Sequence, residues 1–391
     1  MAEFFSFGIV SALAFLFVIG LVIVIHELGH LYAGRMCGVH AEAFSFGFGP
    51  TLFARRDRKG TIWRVAAFPL GGYVRFLGDA NAASAPDQEA LAKLRAEVGP
   101  DADRCFHFKP IWQRAFITAA GPIANFILAI VIFTVLSMTL GASGHAPVVA
   151  GVQPDSPAEA AGFEAGDRIV SIDDEPIRFF SEITGELFYR PGEEVTVRIL
   201  RDGQERDLSV ASRMRTVEDR FGGTRRIPQI GLERTNEEIF VRYGPIEAVG
   251  AGVAQVWTVV AATGNYIGRI VTGRASPEHL NGPIGIFTAA GQMANASLED
   301  GETASESVRT LAINLIALAG ILSIGLGLVN LLPIPILDGG HLVYYAYEAV
   351  ARRPMSAKMQ AIGFRVGLAL VLGMMLVATW NDVNYLRGMF F

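Results

Sequence analysis

Four stretches of the chain run long enough without a charged residue to cross a bilayer. Phe4 to Ile25 is the first, and its 22 residues would form a helix about 33 Å long, enough for a hydrocarbon core of about 30 Å. A second stretch begins after Arg114 and continues past Leu140. A third runs from Thr310 to Leu337, with Pro333 and Pro335 breaking the helix just before Asp338. The fourth, Val366 to Asn381, is shorter, and Arg365 at its edge would snorkel to the interface. Ala248 to Gly268 is also uncharged, but Gly, Ala and Thr dominate it and Gln255 and Asn265 interrupt it. It reads as an amphipathic helix that is interfacial or packed on protein, not as a span.

Other segments carry different periods. AEAFSFGFGPTLF and TIWRVAAFPLGGYVRF have strand character on either side of the charged turn Arg55 to Gly60, and they are too apolar for an ordinary cytosolic loop. Val148 to Val210 reads as a small soluble α+β module. It contains a short capped helix at SPAEAAG, a strand at RIVSIDDEPI and a hairpin around Asp202-Gly203. Arg213 to Arg226 reads as a connector, IPQIGLE as a returning strand, and Ala80 to Gly99 as a soluble helix or loop without chemistry.

Composition fits a polytopic membrane protein. Hydrophobic residues make up 51% of the 391 and charged residues 18%, against about 25% charged in soluble domains. The mean hydropathy is +0.37. A net charge of −5 without a basic tract points away from nucleic acid. Two cysteines, Cys37 and Cys105, make no disulfide framework. The N-terminus lacks the basic n-region of a cleaved signal peptide, so the first stretch reads as a retained span. Arginine and lysine concentrate between the first and second spans and again at Arg352, Arg353 and Lys358. The positive-inside rule puts both basic loops in the cytosol and both termini outside. A fifth crossing at Ala248 to Gly268 would break that agreement.

The chemistry lies at VIVIHELGHLYAGR. His26 and His30 are four residues apart, so on a helix they share one face and can hold one metal ion, with Glu27 beside them as a base. A zinc hydrolase site needs a third protein ligand and an open position. The extended motif that would supply one downstream fails, because Met36 stands there. Asp338 is the preferred third ligand, since the first and third spans run in the same direction and end at the same depth. His341 competes with it, and His40 and Glu42 are more remote candidates. An intramembrane His, Glu and Asp set would also suit a metal or proton transporter, although no second half repeats the motif. A non-catalytic scaffold is the third alternative, and the intact Glu27 argues against it.

HELGH, GPIANF at Gly121 to Phe126, the central module and NLLPIPILDGGH at Asn330 to His341 together resemble the site-2 protease family. The likeness is greatest to the bacterial regulator of sigma-E protease type, with one PDZ module in place of two. The resemblance implies an intramembrane zinc metalloprotease that cuts transmembrane segments of proteins such as anti-sigma factors, after a first periplasmic cut by another protease. It implies Zn2+ held by His26, His30 and Asp338, Glu27 as catalytic base, and Asn330, Pro333 and Pro335 against the substrate. The matching hairpin would dip into the membrane, with Gly47, Phe48 and Gly49 offering backbone to a substrate strand. A PDZ module binds extended peptide or acts only as a steric gate, and the sequence leaves both open.

The expected organisation is therefore 1–33, first span; 34–110, cytosolic loop with a membrane-associated β-hairpin; 111–142, second span; and 145–213, periplasmic PDZ domain. It continues as 214–307, periplasmic connector and amphipathic helix; 308–341, third span; 342–362, cytosolic loop; and 363–391, fourth span and tail. This describes a four-span protein of the bacterial inner membrane whose active site lies near the cytosolic face. Its partners would be a transmembrane substrate and the lipid bilayer.

Overall fold

The first helix, α1, runs from Ala2 to Met36. From Phe4 to Ile25 it carries no charged residue, and as a helix it satisfies its own backbone groups, as the bilayer core requires. The computed structural model describes residues 2–78, 88–188, 192–218, 224–272, 282–299 and 303–390. Part of the Ala80 to Gly99 expectation therefore lies outside the described residues. After α1 come β1 (Ala41–Arg56), β2 (Ile62–Phe76), α2 (Gln88–Val98) and α3 (Ile111–Thr139). The chain divides into two compact units. One comprises Met1–Thr134, Val249–Asn265 and Pro277–Phe391, and the other Val135–Ala248 and Tyr266–Ser276.

The second unit contains β3 (Ala142–His145), β4 (Val149–Val152), α4 (Pro157–Ala160), β5 (Arg168–Ile172), β6 (Glu175–Pro176) and α5 (Phe180–Phe188). It continues with β7 (Glu194–Arg201), β8 (Gln204–Ala211), β9 (Arg213–Glu218), β10 (Thr224–Gln229), β11 (Leu232–Arg234) and β12 (Glu238–Val241). Its main sheet has the order β6-β5-β7-β8. Alternation along β7 turns Val195, Val197 and Ile199 into a core shared with Ile169, Ile172 and Leu187. Asp202 and Gly203, both at positive φ, close the β7–β8 hairpin. The connector expected at Arg213 to Arg226 is instead a ladder over its described part, β9 pairing antiparallel with β10. β4 pairs with β11 and β3 with β12, so the strands entering and leaving this unit run side by side.

The remaining helices are α6 (Pro245–Val271), α7 (Pro283–Glu299), α8 (Ala304–Asn330), α9 (Asp338–Ala351) and α10 (Ala357–Phe390). Among the described residues, five segments are long and apolar enough to cross a membrane, in α1, α3, α6, α8 and α10. The one in α6, Pro245–Gly268, is the least hydrophobic, at a mean hydropathy of 1.4 against 2.1 to 3.0 for the others. Periodicity does not reveal α7, which lies inside the segment expected as connector. It packs against α1, where Gly291 sits on Ser11 and Phe287 meets Phe15 with ring centroids 5.8 Å apart. Its first turn is capped from α10: the Gly282 N–H donates to the buried Asp382 Oδ1 at 3.0 Å.

Candidate active site

The last third of α1 lies against α3, and small residues allow the approach. A Cβ at Gly29 would fall on the Ala120 carbonyl, and one at Gly121 would fall on the His30 ring. The two histidines, one turn apart, thus lie in a space that α3 leaves open at Gly121. His30 donates from Nδ1 to the Ile117 carbonyl at 2.9 Å, which leaves its Nε2 with a lone pair. His26 Nδ1 faces the side-chain amide of Asn125 at 3.2 Å. Asn125 is fully buried and its Oδ1 has no partner. Turning that amide end for end sets Oδ1 to accept from His26 Nδ1–H, and His26 then also presents an Nε2 lone pair. Asn125 is itself braced, its backbone carbonyl accepting from Ser323 Oγ of α8 at 2.9 Å.

The third group arrives by a different route from the sequence expectation. The membrane-length helix α8 stops at Asn330, and Leu331 to Leu337 form an irregular turn in place of a continued helix. Asp338 opens α9, but Leu337 is the N-cap, so the carboxylate does not cap its own helix. It points at the histidines, with Oδ2 3.3 Å from His26 Nε2 and 3.5 Å from His30 Nε2. The glycines after it serve this turn. A Cβ at Gly339 would fall on the carbonyls of Leu331 and Leu332, and one at Gly340 on that of Ile334.

Two Nε2 lone pairs and one carboxylate oxygen therefore converge. The nitrogens are 3.2 Å apart, and Asp338 Oδ2 is buried and accepts no hydrogen bond. Neutral imidazoles with Nδ1–H have no proton to give it, so the set calls for a cation. Ligands about 2.0–2.1 Å from a tetrahedral zinc stand about 3.3–3.4 Å apart. The three observed separations, 3.2, 3.3 and 3.5 Å, match one face of that tetrahedron. No other group of three such side chains close enough to hold a metal occurs among the described residues.

Glu27 lies next to this trio. Its Cγ packs against Gly72 of β2, where a Cβ would sit 3.0 Å away, and the Val74 backbone N–H hydrogen-bonds its carboxylate. A cavity of about 280 Å³ opens over the site. Its lining includes His26, Glu27, His30 and Asp338 together with Gly72 to Val74 and Asn330. Asn330 donates from Nδ2 to Leu326 O at 3.1 Å.

Other expected residues fall elsewhere. His341 lines the cavity but is outside the converging trio, and Glu42 pairs with Arg75 at 2.9 Å. His40 belongs to a separate cavity. Pro333 and Pro335 do not line the site; Pro335 packs against Gly363 and Gly367 of α10.

The substrate edge expected at Gly47, Phe48 and Gly49 lies beyond the doubly paired part of β1. β1 and β2 are long and bent, and from Ala43 to Phe46 each β1 residue has two partners on β2. Phe44 pairs with Val74 and Trp63, and Ser45 with Tyr73 and Arg64. This part of β1 is an inner strand with no backbone left over. Gly47 and Gly49, both at φ +87, form the bend beyond it, with Phe48 opposite Phe68. The strand beside the cavity is Gly72 to Phe76. Sequence reasoning missed its role, and that of Asn125, because neither pairing order nor an interhelical contact leaves a local pattern.

Comparison with known proteins fits this geometry. The model of peptidase family M50 matches residues 14–374. The chain is 44% identical over 385 residues to the metalloprotease MmpA of Caulobacter vibrioides, covering 96% of each chain. It is 28% identical to the zinc metalloprotease RasP of Geobacillus kaustophilus, covering 96% of this chain and 98% of that one. A solved PDZ domain of an SdrC-like protein from Listeria monocytogenes aligns with 24% of this chain and 88% of its own, at 22% identity and a TM-score of 0.19. A match over nearly the whole length, together with a metal-competent trio beside a glutamate, leads to one conclusion: the chain belongs to peptidase family M50, the site-2 protease family, and is a zinc metalloprotease.

Proposed function

We propose that the protein hydrolyses peptide bonds inside transmembrane segments, with His26, His30 and Asp338 holding the zinc and Glu27 acting as the base. The observation that carries this reading is the trio of ligand atoms 3.2–3.5 Å apart with Glu27 alongside, built from the last third of the membrane-length helix α1 and the first residue of α9. Zinc, when bound, polarises the scissile carbonyl and acidifies a water molecule. Glu27 takes the proton of the attacking water and returns it to the leaving nitrogen. Asn125 and the Ile117 carbonyl hold the two imidazoles in the tautomer that keeps Nε2 free.

A helical substrate shields its own peptide bonds, and unwinding it in lipid leaves backbone groups that cost several kcal/mol each when unpaired. The edge of Gly72 to Phe76 faces the cavity and supports a role as their new partner by strand addition. Asn330 binds from the opposite side.

Four spans, α1, α3, α8 and α10, agree with the basic loops. They put 34–110 and Arg352, Arg353 and Lys358 on the cytosolic side of the bacterial inner membrane, and α6 then lies at the interface. The module between α3 and α6 is a PDZ domain on the periplasmic side, and it restricts access until a single-span substrate has been trimmed by another protease. The test uses purified protein and a cleavable transmembrane substrate. Glu27→Gln should retain stoichiometric zinc and lose cleavage, while Asp338→Ala should lose zinc as well. Cleavage by Glu27→Gln would overturn the assignment of the base, and full zinc in Asp338→Ala would move the third ligand elsewhere, with His341 the first to test.

A further inference from the structure

A second cavity, of about 290 Å³, shares no lining residue with the catalytic one. It is enclosed by the last turn of α1, the entry to β1, the β1–β2 turn and the short 3-10 turn that carries Arg104. Four of its lining side chains are basic or imidazole: Arg35, His40, Lys59 and Arg104. None is acidic.

The groups are arranged, not merely near one another. Arg35 is largely buried, and its Nη2 donates to Asp57 and, at 2.9 Å, to Thr61 Oγ1. Among the described residues its Nε and Nη1 have no partner. Burial pushes the Asp57 carboxyl up, but hydrogen bonds from Trp63, Arg35 and the Thr61 and Lys59 amides outweigh this and hold it well below the usual carboxylate range. Asp57 is thus a fixed anion that orients Arg35. His40 accepts at Nδ1 from Arg104 Nη2 at 3.3 Å, so its Nε2 carries a proton to donate. Lys59 Nζ has no partner among the described residues, and Lys109 Nζ reaches over Gly38 at the rim. With Asp57 and Asp101 counted against Arg35, Lys59, Arg104 and Lys109, two positive charges remain uncompensated.

The position adds the second half of the argument. Arg35 is next to the end of a membrane-length segment, Gly8–Met36. Tyr32 and Met36, one helical turn apart on the same helix, are 55% and 79% exposed. A basic pocket facing the headgroups, with apolar surface beside it for acyl chains, suits a lipid better than a free anion.

We infer that this cavity binds the phosphodiester headgroup of an anionic phospholipid, with Arg35, Lys59, Arg104 and His40 Nε2 as donors. Its occupant ties the β1–β2 turn to the end of α1. The test titrates phosphatidylglycerol into the full-length protein in nanodiscs of phosphatidylcholine and counts retained lipid by native mass spectrometry. A basic group near an anionic surface contributes roughly fivefold in affinity, so the double variant Lys59→Gln, Arg104→Gln should bind about thirtyfold more weakly. Lys59→Gln alone, a change at an exposed turn, should lose about fivefold. The variant Arg352→Gln, Arg353→Gln should bind as the wild type does, and zinc content should stay constant in all of them. Equal retention by the double variant overturns the proposal, as does an equal loss in the Arg352, Arg353 variant. Full displacement by excess inorganic phosphate would reassign the pocket to soluble phosphate.

Discussion

Asn125→Ala should weaken zinc binding without touching a ligand. The side chain is fully buried, its amide faces His26 Nδ1 at 3.2 Å, and its Oδ1 has no other partner. Removing it leaves His26 free to turn and to adopt the tautomer whose proton is on Nε2, which cannot ligate. Loss of such a supporting hydrogen bond typically costs 10- to 100-fold in metal affinity, about 1.4 to 2.7 kcal/mol. Asn125→Asp separates this role from simple packing. A carboxylate of the same shape accepts from Nδ1–H at least as well, so it should restore affinity to within a few-fold of wild type, whereas Asn125→Leu should not. The assay is competition for zinc against a chromophoric chelator, with purified protein in detergent and thermal stability followed in parallel. Affinity unchanged within twofold in Asn125→Ala would refute the reasoning. So would an Asp variant no better than Ala, since the side chain would then be filling space and not orienting a ring.

Gly121→Ala should prevent metal loading while preserving membrane insertion, because the new Cβ would fall on the His30 ring and lie 2.9 Å from His26 Cε1; metal analysis of the purified variant checks it, and normal zinc would show that α3 shifts to make room. The acid response of the hairpin turn should follow Asp57. Its carboxyl is depressed in the folded state, so its contribution is complete above the ordinary value of 3.8 and is lost only as pH falls below that through the folded value. Trp63 donates from Nε1 to Asp57 at 3.0 Å and reports directly. In a variant keeping only that tryptophan, its emission should hold steady from neutral pH to about 4 and change below, and Asp57→Asn should show the changed emission throughout.

Much of this protein was legible in the order of its residues. Unbroken apolar runs specify membrane-length helices because in lipid a helix must satisfy its own backbone, and that demand is local. The spacing of His26 and His30 sets two imidazoles on one helix face, with the Glu27 carboxylate next to them in the chain, for the same reason: the helical repeat alone brings them together. The hairpin at Asp202-Gly203 is equally local, since two adjacent positive-φ positions fit only a tight turn.

The rest depended on contacts between segments far apart in the chain. Asp338 is preferred as third ligand only from its depth along the chain, with His341 competing, until the α8–α9 turn aims its carboxylate at the histidines. That Ala43 to Phe46 form an inner strand is visible only once β2 pairs with both of its sides. Helix α7 carries too little hydrophobic contrast to announce itself and takes its place from Ser11, Phe15 and Asp382 around it. Asn125 is one polar residue in an apolar helix, and only the crossing of α1 and α3 at Gly29 shows which imidazole it faces. Periodicity encodes which face of an element is apolar; which residues meet across two elements is set by packing, and that information exists only once the chain has folded.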